Sequence, residues 1–490
     1  MDKFTRTLEA STAKRALIVG LFAAAAAIFY IVSSNSITGQ GYPLDDAWIH
    51  QTYARNLAKF GEWAFIPGQV SGGSTSPLWT AILAIGHGLG IPALWTCMTG
   101  IVLLAGSSIF AMEMLFRSRC SIITSLLFGI FIATEWHVTW ASVSGMETIL
   151  FIFLLMVFFY SLQPKKLLWI AGLIAGISIW VRPDSLTLIG PFLWVFFFSK
   201  EKNWKTFSLG LISFFLLTVG YLVFNNAITG TVWPNTFYAK QAEYAVLHDT
   251  PLGLRFLQLA VIPWIGASVL LLPGLFVAAY EIIKLRKFAY LAPILWAAGY
   301  ILLFAVRLPA AYQHGRYIMP AMPVLFLVCT WGLQKLLFNW DNRSAWKRIL
   351  RKSWLLSLGI TQVFFIFLGA QAYTKDVAVI NTEMVQTAKW IQENTNEDAV
   401  IAAHDIGALG YFSDRSIIDL AGLISPEVIP FIRDEERLAE YISDRKADYL
   451  VIFPSWYPSL AASATPVYYS NGDYSPGMGG ENMFVYKLQP

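Results

Sequence analysis

What most constrains this chain is the recurrence of apolar runs, roughly fifteen to twenty-five residues each, from the N-terminus to about residue 372. Runs of that length match the hydrocarbon thickness of a bilayer, and only helices that satisfy their own backbone hydrogen bonds cross it singly. The chain therefore reads as a polytopic α-helical membrane protein. Composition agrees: 56% of the 490 residues are hydrophobic and 13% charged, about half the charge of a soluble domain. A soluble globule, a disordered chain, collagen and a coiled coil are excluded. The net charge of +4 is too small to argue for nucleic acid, since the positive residues sort by membrane side. Cys97, Cys120 and Cys329 all lie in apolar segments and read as small buried hydrophobes rather than disulfides or metal ligands.

Basic clusters punctuate the runs at Lys3 to Arg15, Arg117/Arg119, Lys165/Lys166, Lys200/Lys202/Lys205, Lys284/Arg286/Lys287 and Lys335 through Lys352. The alternate loops carry only scattered basic residues: Arg55, Lys59, Arg182, Lys240, Arg255, Arg307 and Arg316. By the positive-inside rule the clusters are cytoplasmic, so the N-terminus is cytoplasmic and about eleven spans bring residues 373–490 outside. Residues 1–372 then form the membrane domain and 373–490 an exterior domain. Ser76 to Gly90 is apolar but short, and it reads as an interfacial helix inside one long first outside loop, residues 34–92. The first run reads as a retained anchor rather than a cleaved signal, because its small-residue cleavage pattern is weak. In the exterior region a helix near Glu383 to Asn394, the runs VIAAH, IIDL and YLVIF, and a helix over Glu435 to Lys446 make a small α/β pattern.

Ionisable residues at or below a membrane interface are costly and point to function. Five polar clusters fall on the outside: Asp45/Asp46, Glu147 in SGMET, Arg182/Asp184 in WVRPDS, Lys240 in PNTFYAK, and His314/Arg316 in YQHGRYIMP. Each alone is also explained as a helix cap or an interfacial anchor; their shared sidedness is not. Asp45 and Asp46 follow Pro43 at a helix start, where the macrodipole favours ionised carboxylates. His50 lies one turn after Asp46, a spacing that suits either two metal ligands or a hydrogen bond, so a divalent cation stays possible and none is required. Arg182 and Asp184 read equally as a mutual salt bridge or as ligand contacts.

The stretch DDAWIHQTYARNLAKFGEWAFIPGQVSGGSTSPLW resembles the first outside loop of bacterial GT-C glycosyltransferases related to the mycobacterial terminal arabinofuranosyltransferase. SGMET, RPD, PNTFYAK, RYIMP and HDIGALGYFSDRSIIDLAGL resemble further blocks of that group, and the acidic pair followed by SPLW is more distantly similar to protein mannosyltransferases and aminoarabinose transferases. Gly72-Gly73 and Trp233 depart from the group's pattern.

The resemblance implies a GT-C enzyme of the prokaryotic inner membrane. It would move a sugar from a polyprenyl-phosphate donor to a hydroxyl of a cell-envelope glycan, lipid or protein acceptor on the outer face. That chemistry needs a base for the acceptor proton, cations for the departing phosphate and a slot open to lipid. Asp45 is the first choice for the base, with Asp46 as partner or substitute. Lys240, Arg316, His314 and Arg182 are the candidate phosphate ligands, a bidentate Arg being the best geometric match. His50, Glu147, Tyr238 and Tyr317 are candidate substrate contacts, and His404 and Asp405 candidate acceptor contacts; Asp46 and His50 are the candidate metal ligands. The rival from another class is a polyprenyl-linked sugar flippase, which would show related halves and midplane charges.

Overall fold

The computed structural model describes residues 11–163, 167–338 and 344–489. Lys3, Arg6, Lys165, Lys166, Pro490 and the part of the Lys335 to Lys352 cluster within 339–343 lie outside the described residues.

The apolar runs fold into the helices their length dictates. Among the described residues six are long and apolar enough to cross a bilayer: Thr12–Thr38, Pro92–Arg117, Trp204–Thr229, Ala267–Lys284, Phe288–Arg307 and Ala345–Asn394. A seventh is broken: Ile122–Thr134 and Trp136–Val143 meet at 51°. The break sits at Glu135, whose carboxylate accepts the Val138 N–H at 3.0 Å and so caps the second half. Shorter apolar helices at Thr148–Leu162, Leu168–Ile179, Pro183–Phe198 and Ala321–Leu337 occupy the remaining runs of the eleven-span scheme, and Leu252–Trp264 adds a short apolar helix that the scheme did not contain. The chain is an integral membrane protein of mostly helical structure. Its bundle turns large apolar side chains outward, as Leu216 at 71% exposure and Phe276 at 68% illustrate, and packs small residues inward. A Cβ on Gly332 would lie 1.9 Å from the Gly274 carbonyl oxygen, so the helices Leu272–Lys284 and Ala321–Phe338 meet backbone to backbone.

Between the first and second long helices lie the helix Asp45–Phe60, a small hairpin (Ala64–Ile66 with Gln69–Val70) and the helix Pro77–Gly88. Asp45–Phe60 and Pro77–Gly88 are absent from the spanning set and pack on each other. The C-terminal region is built on a five-stranded sheet in the order Ser416–Asp419, Val400–Ala403, Tyr449–Ile452, Phe484–Lys487, Thr465–Tyr469; the first three strands are parallel and the last two join antiparallel. Ala402, Leu420, Leu438, Ile442 and Leu450 fill one side of it. No linker separates this region from the bundle. The last helix runs continuously over the 50 residues Ala345–Asn394, with a π-helical turn at Ile380–Val385, so the expected division at 372/373 falls inside a helix.

Candidate active site

The helix Asp45–Phe60 carries both acids in its first turn, where the free N–H groups stabilise carboxylates. Successive helical positions differ by about 100°, and the two side chains find different partners. The Asp45 carboxylate accepts the Gly407 N–H at 2.6 Å and the Ala408 N–H at 2.8 Å, closing the start of the short helix Gly407–Phe412 of the C-terminal region. A Cβ at Gly407 would lie 2.1 Å from the Asp45 carbonyl oxygen, so this approach requires glycine. Asp46 instead accepts from Lys240 Nζ at 3.2 Å and Arg316 Nη2 at 2.6 Å. Burial, and then the Asp405 carboxylate, push the Asp45 carboxyl well above the usual range, the two amides offsetting part of this. Burial works the same way on Asp46, but Lys240 and Arg316 outweigh it and hold that carboxyl well below the usual range.

Lys240 is delivered by the helix Asn235–Glu243, which starts after Pro234 and is tied to the first loop by Thr236 Oγ1 donating to the Gly73 carbonyl at 3.1 Å. Arg316 follows the turn Gln313–Gly315. Tyr317 Oη accepts from both cations, at 3.3 Å from Lys240 and 3.0 Å from Arg316. Beside this group a second chain of contacts runs from Ser74 to Tyr300. His50 Nδ1 lies 3.1 Å from Ser74 Oγ and its Nε2 3.4 Å from Glu147. Arg182 bonds Glu147 through Nη1 at 3.4 Å and Asp184 through Nε at 3.1 Å, and Asp184 accepts from Tyr300 Oη. The expected Arg182–Asp184 ion pair is thus present, and Arg182 also faces a cavity.

Two cavities meet at the acidic pair. The smaller, about 130 Å³, is lined by Asp46, His50, Glu147, Arg182, Lys240, Arg316 and Tyr317 together with Phe237, Leu303, Phe304, Arg307 and Leu308. The larger, about 1060 Å³, lies under the C-terminal region and is lined by Asp45, Glu243, Asp376, His404, Asp405, Trp456 and Tyr457 among others. Asp46, Ile49, Lys240, Arg316 and Leu423 belong to both walls. In the larger cavity His404 lies 2.7 Å from Tyr457 Oη and 3.3 Å from Glu243, while Asp405 Oδ2 is buried without a hydrogen-bond partner among the described residues. Burial disfavours the charged imidazole of His404, but Glu243 overrides it and lifts the group to about 9. Asp419 forms a turn, accepting from Ala421 and Ile424 N–H at 2.8 and 2.6 Å.

Two of the expected ligands are not brought to these cavities. His314 lies against Asp376, Nε2 to Oδ2 2.7 Å, and lines neither cavity. Tyr238 packs its ring against Phe237 and lines neither. The proposed metal pair is split as well, Asp46 facing cations and His50 facing Ser74 and Glu147; among the described residues no group of three or more His, Cys, Asp or Glu converges on one point. Sequence reasoning missed Glu243, Arg307 and Asp376. Arg307 had a signal, being a lone basic residue at the domain-side end of an apolar helix.

The fold is shared with known enzymes. ArnT from Cupriavidus metallidurans, crystallised with undecaprenyl phosphate, superimposes with a TM-score of 0.62 at 13% identity, covering 96% of this chain and 97% of that one. The oligosaccharyltransferase of Archaeoglobus fulgidus in its apo form gives 0.60 at 13% identity, covering 97% and 74%. The architecture is therefore the GT-C fold that the sequence resemblance implied, and the arabinofuranosyltransferase subgroup is not among these neighbours. Residues 371–486 match a family described as "Domain of unknown function (DUF8728)". No curated protein matches the chain by sequence.

Proposed function

We propose that this protein is a glycosyltransferase that takes a sugar from a polyprenyl-phosphate donor and passes it to a hydroxyl of a cell-envelope glycan, lipid or protein. The observation that carries the reading is Arg316. The residue is 6% exposed, its Nη2 bonds Asp46 and Tyr317, and its Nε and Nη1 are buried with no hydrogen-bond partner among the described residues. A buried guanidinium with two unused donor nitrogens on the wall between a partly apolar slot and a large chamber suits an anionic group such as phosphate. Lys240 stands beside it and Arg182 lines the same slot, whose apolar side chains Phe237, Leu303, Phe304 and Leu308 suit a prenyl chain.

In this reading the donor phosphate takes over Lys240 and Arg316. Asp46, relieved of two cations, becomes more basic at the wall shared with the chamber. The acceptor oxygen attacks the anomeric carbon with inversion, its proton passes to Asp46, and the carbon–oxygen bond to the phosphate breaks, releasing polyprenyl phosphate. Asp46 is favoured over Asp45 as the base because Asp45 has both oxygens on backbone amides and lines the chamber alone. Acceptor contacts fall to His404 and Asp405. Purified wild-type protein supplied with polyprenyl-phosphate sugars and a panel of glycan, lipid and peptide acceptors should form product in detergent. A flippase would form none, and Arg316→Ala transferring at the wild-type rate would remove the phosphate site from this place.

A further inference from the structure

Gln313, His314 and Gly315 have φ of 53°, 57° and 68°. Three successive left-handed residues make a short turn of the wrong hand, which only glycine adopts readily. Such a backbone persists where its surroundings over-determine it, and these sites cluster where function needs a fixed geometry.

The surroundings are specific. The His314 ring donates through Nε2 to Asp376 Oδ2 at 2.7 Å, and the same oxygen accepts Trp140 Nε1 at 2.9 Å. The rings of Trp136 and Trp140 stand edge-on to the imidazole, each at 5.4 Å. Gly315 is confined from the other side, since a Cβ there would lie 2.8 Å from Ile262 Cγ2. Within the turn the Gly315 N–H reaches the Tyr312 carbonyl at 3.1 Å and the Arg316 N–H reaches Gln313 at 3.2 Å. The next residue is Arg316, the buried guanidinium with two unused donors. A relaxation of this turn to the right-handed region would pull the imidazole from its slot between the tryptophans and redirect the chain at Arg316.

We propose that His314 is a positioning residue: its hydrogen bond to Asp376 locks a left-handed turn that aims the Arg316 guanidinium at the donor phosphate. The assignment rests on the donor reading given above. It explains why a histidine two residues before Arg316 lines neither cavity.

The test measures binding of polyprenyl phosphate alone, without sugar or acceptor, to full-length protein in lipid nanodiscs, followed by donor and acceptor KM separately. His314→Ala is expected to weaken polyprenyl phosphate about tenfold, the scale of a displaced positioning group, and to raise the donor KM by the same factor at an unchanged acceptor KM. His314→Gln, whose amide nitrogen lies as many bonds from Cβ as the imidazole Nε2 and so still reaches Asp376, should recover most of the affinity, the left-handed region being one that Gln313 beside it already adopts. His314→Gly keeps the turn accessible without the bond and should stay weak. Asp376→Ala removes the same bond from the helix side, leaves the turn sequence intact, and should match His314→Ala, which keeps the test decisive if the latter folds poorly. Affinity within twofold of wild type in both alanine variants, or His314→Gly equal to His314→Gln, would overturn the assignment while leaving the donor reading intact. Wild-type protein that does not bind polyprenyl phosphate overturns both.

Discussion

Asp45 and Asp46 are neighbours in sequence with opposite electrostatics, and that contrast gives the sharpest predictions at the residue scale. Asp46→Asn should keep the fold and lower transfer by about 10² to 10⁴-fold, the span of a lost general base, whereas Asp45→Asn should act on docking of the C-terminal region and cost less in rate; equal and large losses of kcat alone in both would return the proton to Asp45. The pH dependence of stability follows from the shifts. Asp45 and Asp405 are raised by burial, and Asp419 is raised to about 6. A raised carboxyl binds its proton more tightly in the folded chain, so its stabilisation is complete below about pH 4 and disappears as pH rises through the folded value. His404, raised to about 9, acts in the same direction between about 6.5 and 9. The thermal midpoint in detergent should therefore fall from pH 5 to pH 9, and Asp45→Asn should flatten the lower part of that slope. The candidate cations were legible because a charge at an apolar helix end is conspicuous in any sequence. Their partners were not: Asp45 meets Gly407 across 362 positions, and no local pattern encodes which of two adjacent carboxylates turns toward a distant amide.

At the scale of elements, the short helix Gly407–Phe412 is held at both ends by one helix. Asp45 accepts from its first amides, while Arg55 donates to its last carbonyls, Nη2 to Gly410 at 3.1 Å and Nη1 to Tyr411 at 2.8 Å. Acid at the positive end and base at the negative end is the arrangement the macrodipole favours, and Trp48 packs between Tyr411 and Phe412. Arg55→Ala should raise amide exchange across residues 405–425 without altering binding of polyprenyl phosphate; unchanged exchange there would dismiss the clamp. A second fastening is Glu383 in the π-helical turn, fully buried, accepting the Met483 N–H at 3.0 Å and the Ser470 hydroxyl. Glu383→Ala strands those buried donors and should destabilise the protein by about 2 to 4 kcal/mol, read as a drop in thermal midpoint. Elements with a long period were readable from sequence; those fixed by remote partners were not. The strands at 400–403, 416–419 and 449–452 announced themselves as apolar runs, but Thr465–Tyr469, largely exposed and interrupted by Pro466, and the six-residue helix Gly407–Phe412 carried no such signal. The broken span did carry a signal, Glu135 and His137 interrupting an otherwise apolar run, but an interrupted run of that total length also reads as one span.

For the whole molecule, charge asymmetry predicts that a reporter active only outside the cytoplasm works when fused after Ser71 and fails after Arg286; the reverse result would invert the topology. The number of runs was readable because bilayer thickness sets their length, while the five shorter apolar helices among the described residues show where packing against neighbours, rather than lipid contact, shapes the bundle. The continuous helix Ala345–Asn394 has a mechanical consequence. At about 1.5 Å per residue it is a rod roughly 75 Å long, running from the basic segment Ala345–Lys352 through an apolar stretch to the sheet-bearing region. A rod without a hinge transmits tilt. When a thinner bilayer leans the membrane end, the far end must lean with it or its Glu383 and Asp45 fastenings must yield, so the width of the chamber becomes a readout of bilayer thickness. Transfer measured across nanodiscs of graded acyl length should peak sharply, and a flexible insertion after Thr374 should broaden that peak.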